Sequence, residues 1–199
     1  MASKTDIVNM ALIKIGQKTV SSITEDTPTA TKLNAVYDQI LDEALAAGPE
    51  KGWKFARAKE TLSVDSVTPD STYEYRYAIP SDCLRIARIH IDGEDITDWV
   101  RQGQYILTNQ SSDEVNIDYV SRITNTGLFP PHFIIVLYMM LAYHLSFNIV
   151  QEKRHANALF DELHLKSIPK AIALDGQEQY VQEESSSWVD AGRTTSTLE

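Results

Sequence analysis

Hydrophobic spacing divides the chain into three stretches with different periods. Ile7, Ala11 and Ile15 recur every four residues, with Val8 and Leu12 beside them, which predicts an amphipathic helix. Ser3 and Asp6 stand at capping-box spacing, and Gly16 suits the position just past the helix end. A second helix starts where Thr27 caps and Pro28 takes the first turn. Its stripe of Leu33, Tyr37, Ile40, Leu41, Ala44 and Leu45 ends at Gly48-Pro49.

From about residue 60 the period falls to two. Tyr73, Tyr75, Tyr77 and Ile79 alternate with polar or small residues up to Pro80, the mark of a half-buried strand. Leu84 and Ile86 share one parity and Ile89 and Ile91 the other, so a β-bulge is expected near Ala87 or Arg88. Asp92-Gly93 is a favoured two-residue hairpin turn, with Ile96 on the return. Tyr105 and Leu107 alternate again, as do Val115, Ile117 and Tyr119, with a turn-rich stretch from Asn109 to Asp113 between them. One small antiparallel sheet of four to six strands is expected.

Helical spacing returns after Phe129-Pro130-Pro131. The run from His132 to Val150 is nearly all apolar, so it should be buried on several sides. A turn at Glu152 to Arg154 and an amphipathic helix from roughly Glu152 to Leu174 follow. The fold class expected is α+β: a four-helix bundle-like core, an inserted small antiparallel β-domain and an extended C-terminal arm. The division is 1–59 and 126–174 for the helical domain, 60–125 for the β-domain and 175–199 for a flexible arm. The arm holds few apolar residues, so alone it cannot offset its ordering entropy; an aromatic within it is the kind of anchor that orders on a partner.

Charge sharpens this division. The 199 residues carry a formal net charge of −10. The excess sits in residues 61–131, with 11 acidic and 5 basic side chains, and in residues 175–199, with 6 against 1. An acidic surface repels phosphate, which argues against broad gripping of nucleic acid. The single cysteine, Cys83, leaves no intramolecular disulfide framework and no cysteine-based zinc site. The longest purely apolar run, Phe133 to Tyr143, has 11 residues, against the roughly 20 that cross a bilayer. The N-terminus lacks the apolar core of a secretory signal, so a soluble chain made in a reducing compartment is expected.

Motifs for chemistry are weak throughout. G-x-S-x-G, H-E-x-x-H and the phosphate-loop pattern do not occur, and GPEKGW at 48–53 fails the last in spacing and residue type. His144 and His155 would share a face of an unbroken helix, but the expected turn at 152–154 separates them. Asp92, Glu94, Asp95 and Asp98 form an acidic cluster, yet an EF-hand counted from Asp92 places Gly103 at the position that needs Glu. Nor does the spacing set Glu94 or Asp98 across a sugar-sized cleft, as a tail-associated hydrolase would require. In KGWKFARAK, residues 51–59, basic and aromatic side chains alternate like a single-stranded nucleic-acid platform. The competing account buries Trp53 and Phe55 at the helix-to-sheet junction and leaves the lysines in water.

In order and spacing, several segments resemble the tail tubular protein A family of short-tailed bacteriophages, the head-to-tail adaptors. They are DIVNMALIKIG, SITEDTPTATKLNAVYDQILDEAL, the Trp53-x-Phe55-Ala56 signature, the Tyr-rich strand leading into Ile79-Pro80-Ser81-Asp82-Cys83-Leu84-Arg85, and the Pro-initiated helix with Leu141-Ala142-Tyr143-His144. The similarity spans about Asp6 to Gln179. The resemblance implies a non-enzymatic virion component with no cofactor, metal or membrane anchor, made in the host cytoplasm and placed at the head–tail junction. It also implies a helical bundle with a projecting β-domain, assembled as a ring, usually dodecameric. The ring docks under the portal protein, meets the tail nozzle protein, and lets double-stranded DNA pass without specific binding. Two expectations add to this. Asp92, Glu94, Asp95 and Asp98 would face the channel and let the duplex slide. In the arm, Trp188 would anchor the ring on the portal, with Arg193 as a polar contact and Tyr180 as a further interface residue.

Overall fold

A computed structural model describes residues 2–67, 69, 72–110, 115–146 and 153–178, without the side chains of Lys153 and His155. The first two helices form as local rules dictate. Helix α1 (Lys4–Lys14) opens with a complete capping box: the Ser3 hydroxyl accepts from Asp6 N–H, and the Asp6 carboxylate accepts from Ser3 N–H. Helix α2 (Pro28–Ala46) is capped by Thr27, whose hydroxyl accepts from Ala30 N–H. Helix α3 (Pro131–Leu145) packs against both. Most of its residues are buried, as its nearly unbroken apolar run requires.

The last helical stretch departs from the expected picture. Helix α4 (Lys153–Glu162) runs through a π-helical segment (Leu163–Ser167) into α5 (Ile168–Gln177). Pro169 has no N–H to give a carbonyl one turn back, so the wider π turn falls where the regular ladder would break. Lys153 and Arg154 are helical, not a turn, while Glu152 lies outside the described residues. Helix α5 also extends to Gln177, into the stretch expected to begin the arm, and buries Asp175.

Between the helices lie seven short strands among the described residues. They form two antiparallel sheets, not the single sheet of four to six strands expected. The strands are β1 (Arg57–Leu62), β2 (Tyr75–Ala78), β3 (Cys83–Ile91), β4 (Glu94–Asp95), β5 (Trp99–Gln102), β6 (Tyr105–Thr108) and β7 (Val115–Ser121). One sheet runs β1-β7-β3-β4 and the other β2-β6-β5. Strand β3 slips register against β7 twice, between Cys83 and Arg85 and between Ile86 and Arg88. The second slip is the bulge its switched parity predicts. Asp92 and Gly93, both with positive φ (49° and 88°), make the tight turn from β3 to β4.

Two hydrophobic cores result. Helical side chains from α1, α2, α3 and the α4–α5 stretch share one, together with Trp53, Ala56, Val120 and Phe129. The second lies among the strands, where Leu62, Ile89, Val115, Ile117 and Tyr119 of one sheet meet Tyr77 and Ile106 of the other. Strand β7 serves both: Val115, Ile117 and Tyr119 enter the strand core and Val120 the helical one. Helices gathered around one core and antiparallel sheets around another make the class α+β.

Candidate functional site

The segment 48–57 is the hinge between the two cores, and its aromatic side chains point inward. Trp53 is fully buried, and its Nε1–H donates to the Ala44 carbonyl at 2.9 Å. Its ring lies 5.7 Å from Phe133, and Phe55 lies 4.7 Å from Phe133 and 5.8 Å from Phe129. The cations of the same stretch are directed elsewhere. The Lys54 ammonium donates to the Gly176 carbonyl at 2.9 Å, and the Arg57 guanidinium donates to the Gly52 carbonyl at 3.0 and 3.1 Å. Lys51 and Lys59 are exposed. The buried-junction account of KGWKFARAK is thus the one this arrangement matches; the indole has no free face on which a base could stack.

A polar knot built on Asp82 holds the other side of the junction. Its carboxylate accepts from the Ser121 hydroxyl at 2.6 Å and from the Tyr119 phenol at 3.2 Å, and its carbonyl accepts from Arg122 N–H at 2.8 Å. Burial, and then the nearby Asp82 charge, push the Tyr119 phenol up to about 12. Arg122 reaches across to α2, donating to Asp42 at 2.6 Å, and Arg85 donates to the Pro49 carbonyl at 2.6 Å. Arg122 and Arg85 thus tie the strands to the helical side, and Asp82 braces both ends of that tie within the sheet.

The acidic cluster is exposed. Asp92 sits in the β3–β4 turn, Glu94 and Asp95 on β4, and Asp98 just before β5. Asp95 pairs with Arg88, and the Asp98 carboxylate accepts from Asn109 at 3.4 Å. The four carboxylates do not converge as a ligand set. Close by, a cavity of about 390 Å³ is lined by Lys51, Arg57, Lys59, Arg88, Asp95 and Asp118, so its cations face carboxylates. His144 pairs with Glu43 on α2 at 3.2 Å, and the side chain of His155 lies outside the described residues. So do Tyr180, Trp188 and Arg193.

Among the described residues one group has the spacing of metal ligands: His132, Asp175 and Glu178. No sequence signal announces it. His132 begins α3, the carboxylates end α5, and only the packing of α3 on α5 unites them. No helix of the described residues is long and apolar enough to cross a membrane.

At this level the chain is a two-core α+β protein whose conspicuous features are a braced junction and an exposed acidic hairpin. Its sequence matches a family model described as tail tubular protein over residues 5–126, from α1 through β7 to the start of the approach to α3. The chain belongs to the tail tubular protein family, whose members are structural, in general non-enzymatic components of the phage tail, and so of the virion. Among curated proteins no match is found.

Proposed function

We propose that this chain is a subunit of the head-to-tail adaptor ring, twelve copies joining portal to nozzle around the path of the ejected DNA. The observation that carries this reading is the tail tubular match, which runs continuously through α1, α2 and all seven strands. Surface composition supports it. Ile13, Leu128 and Leu165 are 64%, 56% and 73% exposed, large apolar side chains of the kind that neighbouring subunits cover. A closed ring needs two unlike, complementary faces on each copy, and a helical body carrying a β-domain offers them.

Within the ring, Asp92, Glu94, Asp95 and Asp98 face the channel. Their exposure on a hairpin tip fits a wall that repels phosphate and holds no duplex in place. The 175–199 segment seats the ring on the portal through Trp188, with Tyr180 and Arg193 beside it. Mixing the full chain with its portal and imaging by negative stain tests the reading: a ring of added density beneath the portal is expected. Portal particles that look the same with and without the chain reject it. Removing residues 181–199 should weaken the added ring while leaving the monomer folded, and an undiminished ring rejects the role given to the arm.

A further inference from the structure

The His132–Asp175–Glu178 group is not used by anything above. His132 is 7% exposed and Asp175 1% exposed. The His132 Nε2 atom is buried and makes no hydrogen bond; Asp175 Oδ1 stands 3.6 Å away. On the other side of the ring, Nδ1 is 3.9 Å from Glu178 Oε1. One ligand atom from each residue lies within 4.8 Å of the other two. A buried imidazole nitrogen without a partner is costly, and here it lies beside two carboxylates that could share a ligand with it.

We propose that His132, Asp175 and Glu178 bind a first-row divalent cation of the Zn²⁺ type, with water completing the shell. One imidazole and two carboxylates suit such an ion better than Mg²⁺ or Ca²⁺, which favour oxygen alone. Zinc–ligand bonds of about 2.1 Å place tetrahedral neighbours about 3.4 Å apart. The Nε2–Asp175 separation of 3.6 Å is already close to that spacing. Glu178, 49% exposed at the end of α5, is the ligand free to swing toward Nε2, and it opens the site to solvent. Asp175 is held in place, since its Oδ1 accepts from Lys54 N–H at 3.1 Å, the kind of outer contact that orients a ligating carboxylate. The Lys54 ammonium is directed to the Gly176 carbonyl, not to the two carboxylates. A bound ion fastens the last turn of α5 to the first turn of α3. This inference is independent of the adaptor reading.

The competing account is a protonated imidazole bridging the two carboxylates with no metal. Titrating the chelator-stripped full chain with ZnCl₂ at near-neutral pH, by calorimetry, separates the two. One zinc per chain is expected, with MgCl₂ producing no comparable heat. The E178Q variant should weaken zinc binding about tenfold or more, and H132N should abolish it. In a W99F/W188F background, Co²⁺ should quench the emission of Trp53, whose ring is 6.1 Å from that of His132, and E178Q should relieve the quenching. Failure to bind zinc overturns the proposal, as does one-site binding that E178Q leaves unchanged. Glu178 is exposed, so E178Q decides the matter even if H132N does not fold.

Discussion

Replacing Trp53 tests the account of the junction most directly. The side chain is fully buried, and burying an indole removes about 150–250 Å² from water. At ~25 cal/mol per Å² that is about 4–6 kcal/mol of transfer free energy. Partial collapse of the surroundings brings the expected cost of Trp53→Ala to about 3–5 kcal/mol, a large share of the 5–15 kcal/mol that stabilises a typical domain. Trp53→Phe keeps most of the ring but strips the Ala44 carbonyl of its 2.9 Å partner, which should cost about 1–3 kcal/mol. Urea unfolding with the slope unchanged and the midpoint displaced is the assay. Retention on a DNA column across a salt series runs beside it. If Trp53→Ala left stability within about 1 kcal/mol of the parent yet abolished salt-dependent DNA retention, the indole would be a stacking surface and the core account would be wrong.

Three further outcomes follow from the same structure. Gly52 has φ +81°, and a Cβ there would stand 2.5 Å from Val120 Cγ2, so Gly52→Ala should cost about 2–3 kcal/mol by urea midpoint. Gly16→Ala, at φ +69° with open space around it, should cost only about 1 kcal/mol; equal losses at the two sites would remove the packing argument. Hydrogen bonds from Ser3 to Asp6 and from Ser21 to Glu25 hold these carboxyls below their ordinary values of 3.8 and 4.5. Their stabilisation is therefore complete above those values and lost as pH falls through them toward the folded-state values. The midpoint difference between parent and Asp6→Asn or Glu25→Gln should shrink below about pH 4, and a difference that grows there contradicts the assignment. Neutralising Asp92, Glu94, Asp95 and Asp98 together should slow DNA ejection from assembled virions, and unchanged ejection would count against a channel-facing position.

What the sequence revealed was mostly local. Caps at Ser3 and Thr27, the Asp92-Gly93 turn and the parity switch in β3 each involve residues a few positions apart, so their physics is written in short stretches of chain. Most strands were visible one by one, but β1 and β5 were not, and neither was the division into two sheets. That depends on pairings such as Arg57 with Val120 and Tyr75 with Thr108, which no alternation pattern encodes. The last helix was expected to end at Leu174 because the stretch from Asp175 holds few apolar residues; burial of Asp175 against His132 and Lys54 is what carries the helix on. The same long-range packing hid the candidate metal ligands, since His132 and Asp175 meet only when α3 and α5 do.

The junction also constrains how such a subunit carries load. Trp53 and Phe55 are packed into the helical core, while β1 begins two residues after Phe55 and β7 contributes Val120 to that same core. Arg85 and Arg122 add polar ties across the boundary, the second of them to α2, and Asp82 steadies Arg122 by accepting from its N–H. Cores packed at crystal-like density transmit displacement with little compliance. A β-domain attached by a single linker would swing freely. One whose strands share side chains with the helices should instead move with the helical body. Ile13, Leu128, Leu165 and the acidic hairpin lie on the surface the two cores leave open, where substitution is expected to leave the fold intact.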